Sequence, residues 1–426
     1  MKTKRNSLNP RILTVASGSG LRRQRRRVAA AGLVVGGLCL CLAWAANAAP
    51  GSWTQQTNLP APTATCASCA LDGILYVIGG HYPNSSTALA TFLAYDPQTD
   101  TWRTNAPLPT PRHWLGQCAV AVDGIIYVVG GTGSGTPGPV VLPVAAYNPR
   151  TDTWTNGANI PTGRGNLVAC AVDGIIYAIG GYLDGTHTTA AVEAYDPKSN
   201  QWTTKGNTPY RCFFLAASVA PNGLAYLFGY TLTWAYDPKT DSWNTNKSHF
   251  SPYSWALRSA EVNGLIYLFG GFTQDNTSSY DFTWAYDPAQ DQFTARRHMP
   301  HARGSAACGV IGGKVYLTGG TSEPSTHPNA VYYTALDVFD PQGGVSPEIQ
   351  KVAWEIPDYS VRLTWQGDVG VSYGVESRPD VASGDWTRRM FTTGTDTVQA
   401  TNALVEASCL VPPGETSRFF RVLEAD

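Results

Sequence analysis

The sequence predicts an all-β protein, namely a closed ring of six four-stranded blades followed by a small C-terminal β-sandwich. Three motifs recur in phase along residues 50–344: a two-residue turn of the Asp-Gly type, a glycine pair, and an aromatic residue before a proline turn. The turns recur at four intervals of 49 to 51 residues and one of 41. A period near 50 residues with several short strands per repeat is typical of β-propellers.

The N-terminal segment, residues 1–48, resembles a secretory signal peptide. Nine basic and no acidic side chains lie in the first 27 residues, and an uncharged run then ends in Ala46-Asn47-Ala48. These are the basic, apolar and small-residue parts of a cleavable signal, with cleavage predicted after Ala48. The apolar run is also long enough to span a bilayer, so a retained membrane anchor is the alternative.

Each repeat begins with a strand that reaches a two-residue turn able to accept positive φ at both positions, as a tight hairpin requires. These turns are Asp72-Gly73, Asp123-Gly124, Asp173-Gly174, Asn222-Gly223, Asn263-Gly264 and Gly312-Gly313. An apolar strand follows and ends at a glycine pair, where backbone can pass closely. The pairs are Gly79-Gly80, Gly130-Gly131, Gly180-Gly181, Gly270-Gly271 and Gly319-Gly320, and the fourth repeat has Gly229-Tyr230 instead.

The second half of each repeat is marked by aromatic residues. A tyrosine or phenylalanine precedes Asp-Pro or Asn-Pro, and proline presets φ for the turn. In five repeats the next strand opens with an aromatic residue, and these residues are Trp102, Trp154, Trp202, Trp243 and Phe293. Large aromatic side chains at these positions are predicted to fill the seams between neighbouring blades.

With these motifs in phase, the chain resembles the kelch-repeat family of β-propellers over residues 50–344. The sixth repeat lacks its tryptophan, but Trp53 lies at the start of the exported chain and is followed by Leu59-Pro60, just as Trp102 is followed by Leu108-Pro109. We therefore expect the N-terminal strand to complete the last blade and close the ring, so that the propeller domain spans residues 49–344. Closure removes exposed sheet edges.

Residues 345–426 are predicted to form a separate small β-sandwich. Five alternating segments occur here, at 352–356, 361–365, 371–376, 386–392 and 418–422, with Gly, Pro and Asp between them. This part resembles the short β-sandwich modules at the C-terminus of many secreted bacterial proteins. The resemblance implies an accessory or surface-display role.

Charge limits the classes of partner. Without the signal segment the chain keeps 21 basic and all 31 acidic residues, a formal charge of −10. An acidic surface disfavours nucleic-acid binding, which depends on phosphate neutralisation. We expect a secreted, periplasmic or cell-surface monomer, with membrane association only if the N-terminal apolar segment is retained.

The candidate ligand site lies at one mouth of the propeller channel. In kelch propellers the loops that enter each inner strand surround this mouth, and here they carry cations and aromatic rings suited to an anionic or hydroxylated ligand. The candidate residues are Arg112, His113, Trp114, Arg164, Tyr210, Arg211, Tyr253 and Arg303, with Thr63 at the arginine position of blade 1. The alternative is structural, because an arginine here can instead bind backbone carbonyls or pair within its blade.

The fourth repeat predicts a notch in this rim. Only residues 231–233 separate Gly229-Tyr230 from Trp234, whereas the other repeats have long loops after the glycine pair. Tyr230 is therefore a further candidate binding residue beside the notch. A repeat that has simply lost its surface loop is the alternative.

No cofactor or metal site is predicted. Cys66 and Cys69 lie three apart on a predicted strand and face opposite sides, so buried structural thiols are favoured over a redox pair. His298 and His301 lack a third nearby ligand for zinc.

The sequence favours a non-catalytic extracellular module that recognises a carbohydrate or a protein segment at the channel mouth. The alternative is a sugar-modifying enzyme. Six-bladed kelch-type sialic acid mutarotases resemble this architecture in blade number, and an arginine-bearing mouth suits a sugar carboxylate. General acid–base catalysis also requires a carboxylate or histidine beside the sugar, and no catalytic residue is assigned.

Overall fold

The computed structural model describes residues 51–343, except 136–137, 185–186, 325–326 and 328, and the backbone of some strands outside this range. The chain forms two compact units, one of residues 51–343 and the other of residues 1–50 and 344–426. The first unit is an all-β propeller of six antiparallel four-stranded sheets. The six repeats predicted from the sequence therefore correspond to six blades.

Within a blade the strands follow each other from the central axis outward. Blade 1 contains β2 (Ala67–Leu71), β3 (Ile74–Ile78), β4 (Phe92–Asp96) and β5 (Thr101–Thr104). Blade 2 contains β6 (Ala119–Val122), β7 (Ile125–Val128), β8 (Pro143–Asn148) and β9 (Thr153–Asn159). Blade 3 contains β10 (Val168–Val172), β11 (Ile175–Ile179), β12 (Val192–Asp196) and β13 (Gln201–Lys205).

The second half of the ring repeats this arrangement. Blade 4 contains β14 (Ala216–Val219), β15 (Ala225–Gly229), β16 (Leu232–Asp237) and β17 (Ser242–Asn244). Blade 5 contains β18 (Arg258–Val262), β19 (Leu265–Phe269), β20 (Thr283–Asp287) and β21 (Gln292–Arg296). Blade 6 contains β22 (Ala307–Ile311), β23 (Lys314–Thr318) and β24 (Leu336–Asp340), and its fourth strand is β1 (Ser52–Gln56).

The β1 strand pairs with β24 in antiparallel register, with Trp53 opposite Phe339. The Trp53 indole N–H donates to the carbonyl of Arg297, which follows the outer strand of blade 5, at 3.0 Å. The indole of Trp102 in blade 1 makes the corresponding bond to Thr57 O at 2.8 Å. Trp53 thus occupies in the outer strand of blade 6 the position that Trp102 occupies in the outer strand of blade 1.

A side-chain contact that we call the seam clasp links neighbouring blades at the outer turns. In blade 1 the Tyr95 hydroxyl donates to Asp100 Oδ1 at 2.6 Å, and the same carboxylate accepts the backbone N–H of Thr57 from the preceding blade at 2.9 Å. The same geometry recurs in four more blades, through Tyr147–Asp152, Tyr195–Asn200, Tyr236–Asp241 and Tyr286–Asp291. Blade 6 has Phe339 at the tyrosine position, which has no hydroxyl to donate.

The glycine pair permits close contact between blades. Gly80 has φ +94°, and a Cβ there would lie 2.5 Å from Thr63 Oγ1 and 2.6 Å from Ala64 O. Its N–H donates to the carbonyl of Arg112 in the next blade at 3.0 Å. The pair therefore joins the inner ends of adjacent blades at the mouth of the channel.

The second unit is described as backbone strands only. One sheet contains Ile349–Glu355, Ser360–Gln366 and Leu404–Leu410. The other contains Leu13–Ala16, Ser372–Arg378, Thr387–Arg389, Thr397–Gln399 and Ser417–Glu424. The side chains that would form the core of the predicted β-sandwich lie outside the described residues, as does nearly all of the predicted signal segment. No helix in the described part of the chain is long and apolar enough to cross a membrane.

Candidate functional site

The mouth loops share one register, counted back from a buried residue just before each inner strand. Three residues before Cys66, Leu115, Leu167, Leu215, Leu257 and Ala306 stands a position that we call the lock position. Its occupants in blades 1 to 6 are Thr63, Arg112, Arg164, Cys212, Ser254 and Arg303. In each blade its carbonyl accepts an N–H from the last residue of the glycine pair, or from Tyr230, in the preceding blade.

Side chains at the lock position bind their own blade as well. Those of Thr63, Arg112, Arg164, Ser254 and Arg303 donate to the carbonyl of the first glycine of the pair in the same blade, at distances of 2.6 to 3.4 Å. Thr and Ser reach this carbonyl with a hydroxyl, and Arg reaches it with its guanidinium. The position therefore has a structural role that several residue types fulfil.

Arg164 shows how completely a guanidinium is used in this role. Its donors bind the carbonyls of Gly180, Ala178 and Thr162 and the carboxylate of Glu193, the last at 2.5 Å. Its side chain is fully buried, with 0% exposed. Glu193 accepts the Thr162 hydroxyl with its other oxygen at 2.8 Å. The charge is thus compensated within blade 3.

Arg303 repeats this arrangement in blade 6. It binds the carbonyls of Gly319 and Ala335 and forms an ion pair with Asp337, whose carboxylate also contacts His301 at 2.8 Å. Arg112 in blade 2 donates to Gly130 O but has no carboxylate among its described contacts, and its Nη2 has no hydrogen-bond partner. Arg112 is 0% exposed and Arg303 is 2% exposed.

The prediction that Arg112, Arg164 and Arg303 present cations to a ligand is therefore wrong. Burial between two blades places their guanidinium groups on backbone carbonyls, which is the structural alternative given by the sequence. A ligand that binds at the mouth from solvent cannot reach these buried charges. The candidate site must be built from other residues.

In blade 4 the lock position is occupied by Cys212, whose Sγ lies 3.9 Å from Thr208 Oγ1. The prediction that Arg211 occupies the arginine position of this blade is therefore wrong by one residue. Arg211 is exposed, and the neighbouring Tyr210 is 71% exposed, with its ring centroid 6.2 Å from that of Trp234. Tyr210 and Arg211 thus remain accessible on the rim.

His113 is also unsuited to act as a cation. It is buried, its ring packs at 5.8 Å against His81, and its Nε2 lies 2.9 Å from Gly133 O. Burial, with a further contribution from the charge of His81, lowers the pKa of His113 to about 4. The imidazole is therefore neutral at physiological pH.

Two residues after the lock position, every blade has a residue with positive φ near +50°. These residues are Thr65, Trp114, Asn166, Phe214, Ala256 and Ser305. Backbone hydrogen bonds link consecutive members, such as Phe214 N to Asn166 O at 3.1 Å and Ser305 N to Ala256 O at 2.9 Å. Non-glycine residues rarely adopt this conformation. These locally strained residues form the hydrogen bonds that join neighbouring blades around the mouth.

The accessible part of the mouth is a chain of half-buried aromatic side chains, which we call the aromatic arc. Its members are Trp114, Tyr182, Phe213, Phe214, Tyr230, Tyr253 and Trp255, from blades 2 to 5. Successive rings touch, with centroids 4.2 Å apart for Tyr182–Phe213, 5.7 Å for Phe213–Tyr230 and 5.5 Å for Tyr230–Tyr253. The arc therefore forms one continuous aromatic surface.

Tyr230 stands at the centre of this arc. The connection from β15 to β16 consists of Tyr230 and Thr231 alone, whereas the corresponding connections in the other blades span 79–91, 129–142, 180–191, 270–282 and 319–335. Tyr230 replaces the second glycine of the pair, with φ +58°, and its hydroxyl donates to Phe213 O at 2.8 Å. The short connection that the sequence predicted for blade 4 is thus present, and Tyr230 lies within it.

The arc includes three of the predicted site residues: Trp114, Tyr230 and Tyr253. Trp255 lies two residues after Tyr253 in the same loop, whereas sequence reasoning missed Tyr182, Phe213 and Phe214. Counting from Leu215 would have placed Phe213 and Phe214 directly after the lock position. Among the described residues, no group of three or more His, Cys, Asp or Glu side chains is arranged to hold a metal ion.

Comparison with known proteins agrees with this architecture. The Kelch motif model matches residues 62–109 and 163–209, which span the mouth loops and strands of blades 1 and 3. The chain thus carries kelch motifs within a six-bladed β-propeller. The solved structure titled "Structure of YjhT" superposes with a TM-score of 0.56 and 17% identity, covering 66% of this chain and 95% of that one.

Several curated proteins match parts of the propeller. Kelch-like ECH-associated protein 1B of Danio rerio is 33% identical over 88 residues, which are 20% of this chain and 15% of the relative. Kelch repeat and BTB domain-containing protein 12 of Danio rerio is 33% identical over 124 residues, 26% and 19% respectively. Kelch-like protein 23 of Homo sapiens is 31% identical over 123 residues, 28% and 20%. The matches thus cover no more than a fifth of each relative.

Proposed function

We propose that this kelch propeller is a binding module that recognises a segment of another protein across the aromatic arc. The observation that carries the proposal is the continuous row of half-buried rings beside the shortened rim of blade 4. Aromatic side chains bury large areas at low conformational cost and dominate protein-binding surfaces. The kelch motifs support this class of function.

The chemistry of the arc favours a ligand with apolar or planar groups. Tyr253 and Trp255 are partly exposed, and the Trp255 indole N–H is held by Asn276 Oδ1 at 3.0 Å. The exposed Arg211 and Tyr210 border the arc and offer hydrogen-bond donors to a polypeptide backbone. A glycan could stack on the same rings, so carbohydrate is the other ligand class for the same surface.

The test is selection from a random peptide library and a glycan array with the purified full chain. We expect selected peptides whose affinity falls at least about tenfold for Tyr253→Ala, because truncating an aromatic anchor of a binding surface typically costs about 2 kcal/mol or more. Tyr82→Ala is the matched control, an exposed tyrosine in blade 1 outside the arc. Selected ligands that bind Tyr253→Ala and wild type equally would remove the arc as the site.

A sugar-modifying activity is the second candidate function, with a sialic acid as the first substrate to try. His187 lies in the connection 180–191 of blade 3, which follows the glycine pair. Its Nδ1 contacts Asp184 Oδ2 at 2.8 Å, which is an arrangement that orients an imidazole for proton transfer. The test follows anomer interconversion of sialic acids by NMR. Rates equal to those in buffer alone would discard this function.

We also propose that the chain is exported and that residues 1–48 are removed. The basic, apolar and small-residue parts of this segment support the proposal. N-terminal sequencing of the exported protein should give Ala49 as the first residue. Recovery of the full-length chain in the membrane fraction would instead support a retained anchor.

A further inference from the structure

Arg258 places a buried cation near the axis of the propeller. It begins β18, the inner strand of blade 5, and is only 3% exposed. Its guanidinium lies within electrostatic range of the thiols of Cys66 in blade 1, Cys118 in blade 2 and Cys308 in blade 6. A side chain from blade 5 that acts on three other blades lies where the inner strands converge.

The hydrogen-bonding capacity of this guanidinium is largely unused. Arginine has five N–H donors. Nε of Arg258 donates to Ala306 O, and Nη1 donates to Leu257 O at 3.2 Å. Among the residues that the structure describes, these are its only hydrogen bonds, and both acceptors are neutral carbonyls.

No carboxylate compensates the charge within the described part of the chain. Arg164 and Arg303, which are similarly buried, each form an ion pair with a carboxylate of their own blade. The acidic residue nearest to Arg258 in sequence, Glu261, instead accepts the N–H of Gly264 at 2.6 Å. The surrounding thiols are neutral, since burial raises the pKa of Cys66 to about 11 and that of Cys118 to about 12.

The inner strands surround an axial cavity of about 230 Å³. Its lining begins in β18 at Ser259, the residue after Arg258, and includes Gln117 and Ser218 as well as Glu261 three residues further along the strand than Arg258. The Gln117 amide crosses the channel from blade 2 and donates to Ala217 O at 2.7 Å and Ser259 O at 3.3 Å. The Ser218 and Ser259 hydroxyls share one hydrogen bond of 2.9 Å, which leaves one hydroxyl proton as a further donor.

We propose that Arg258 holds a small monovalent anion of chloride size on the propeller axis. A buried charge is costly unless it is paired and hydrogen-bonded. The unused guanidinium donors provide the partners for such an ion, and the cavity lined by the adjacent Ser259 provides the space. Its binding neutralises the cation and stabilises the closed ring, because only the folded state brings the inner strands together.

Two measurements on the purified full chain test this proposal. Crystals grown in bromide should show an anomalous peak in contact with the Arg258 guanidinium. Thermal unfolding in chloride and in gluconate at equal ionic strength should give a midpoint roughly 2 °C or more higher in chloride.

The chloride effect should vanish in Arg258→Met and persist in Arg150→Met, which removes an exposed arginine at an outer turn. Comparing the difference between salts in each variant removes general salt effects. If Arg258→Met does not fold, the bromide measurement on wild type still decides the question. The absence of an anomalous peak at Arg258, or an equal chloride effect in wild type and Arg258→Met, would overturn the proposal.

Discussion

At the scale of single residues, the mouth of this propeller shows how burial changes the role of an arginine. Lock-position side chains as different as threonine, serine and arginine bind the same glycine carbonyl. Where arginine is used, its remaining donors need partners, and blades 3 and 6 supply a carboxylate for this purpose. The charge thus contributes to the ring and is not available for a ligand.

Removing the carboxylate from blade 3 should therefore destabilise the protein strongly. We expect Glu193→Ala to lower the free energy of unfolding by about 3–5 kcal/mol, because it leaves Arg164 buried and uncompensated. Glu193→Asp is the matched control, since blade 6 pairs arginine with aspartate in the same arrangement. Denaturant titration measures both variants, and a loss below about 1 kcal/mol for Glu193→Ala would contradict this account of the lock position.

From the sequence, burial of these arginines was one of two alternatives, because the partner carboxylates Glu193 and Asp337 lie about 30 residues further along the chain. Arg211 was assigned to the arginine position by its residue type alone. Counting three residues back from Leu215 gives Cys212 instead. The aromatic arc was only partly predicted, because Phe213 and Phe214 appear in sequence as ordinary core residues before a strand.

At the scale of elements, the seam clasps explain why tyrosine and aspartate recur five residues apart. The hydrogen bond from Tyr95 and those from Thr57 lower the pKa of the Asp100 carboxyl. The backbone N–H of Ala106 and the hydroxyl of Tyr147 do the same for Asp152. Blade 3 makes the same clasp with Asn200, which carries no charge.

These shifts predict a specific loss of stability in acid. A carboxyl whose pKa is lower in the folded state stabilises the fold above its unfolded-state pKa, and this contribution disappears as pH falls through the folded-state value. Asp100→Asn/Asp152→Asn should therefore lose less stability than wild type between pH 5 and pH 2, values that span the usual range for aspartate. The measurement is the urea midpoint as a function of pH.

The reverse substitution serves as the control for the clasps. Asn200→Asp adds an ionisable group to the clasp of blade 3 and should make the midpoint fall more steeply in acid than in wild type. Identical pH profiles for wild type, the double asparagine variant and Asn200→Asp would show that the clasps do not contribute to acid sensitivity.

At the scale of the whole molecule, the sequence predicted the number of blades because the motifs recur in phase. Those motifs make contacts that recur around the ring. The turns, the glycine pairs and the seam aromatic residues each make the same contact in all or nearly all of the six blades. The departures are equally informative. Blade 4 lacks a long mouth connection and carries the centre of the aromatic arc, and blade 6 lacks a clasp tyrosine and takes its outer strand from the N-terminal end of the propeller.

The aromatic arc and the Arg258 site both require a closed ring of six blades around one axis. The seam between blades 5 and 6 has Phe339 in place of a clasp tyrosine and therefore lacks that hydrogen bond. We propose that the pairing of Ser52–Gln56 with Leu336–Asp340 secures the closure of the ring instead. Trp53 supports that seam through its bond to Arg297 O.

Hydrogen–deuterium exchange of the full chain tests closure most directly. The amides of residues 52–56 should exchange as slowly as those of the outer strand Gln201–Lys205 in blade 3, and Trp53→Ala should speed exchange in both 52–56 and 336–340. Fast exchange of residues 52–56 in wild type, with the strands of blades 1 to 5 still protected, would contradict the closed ring.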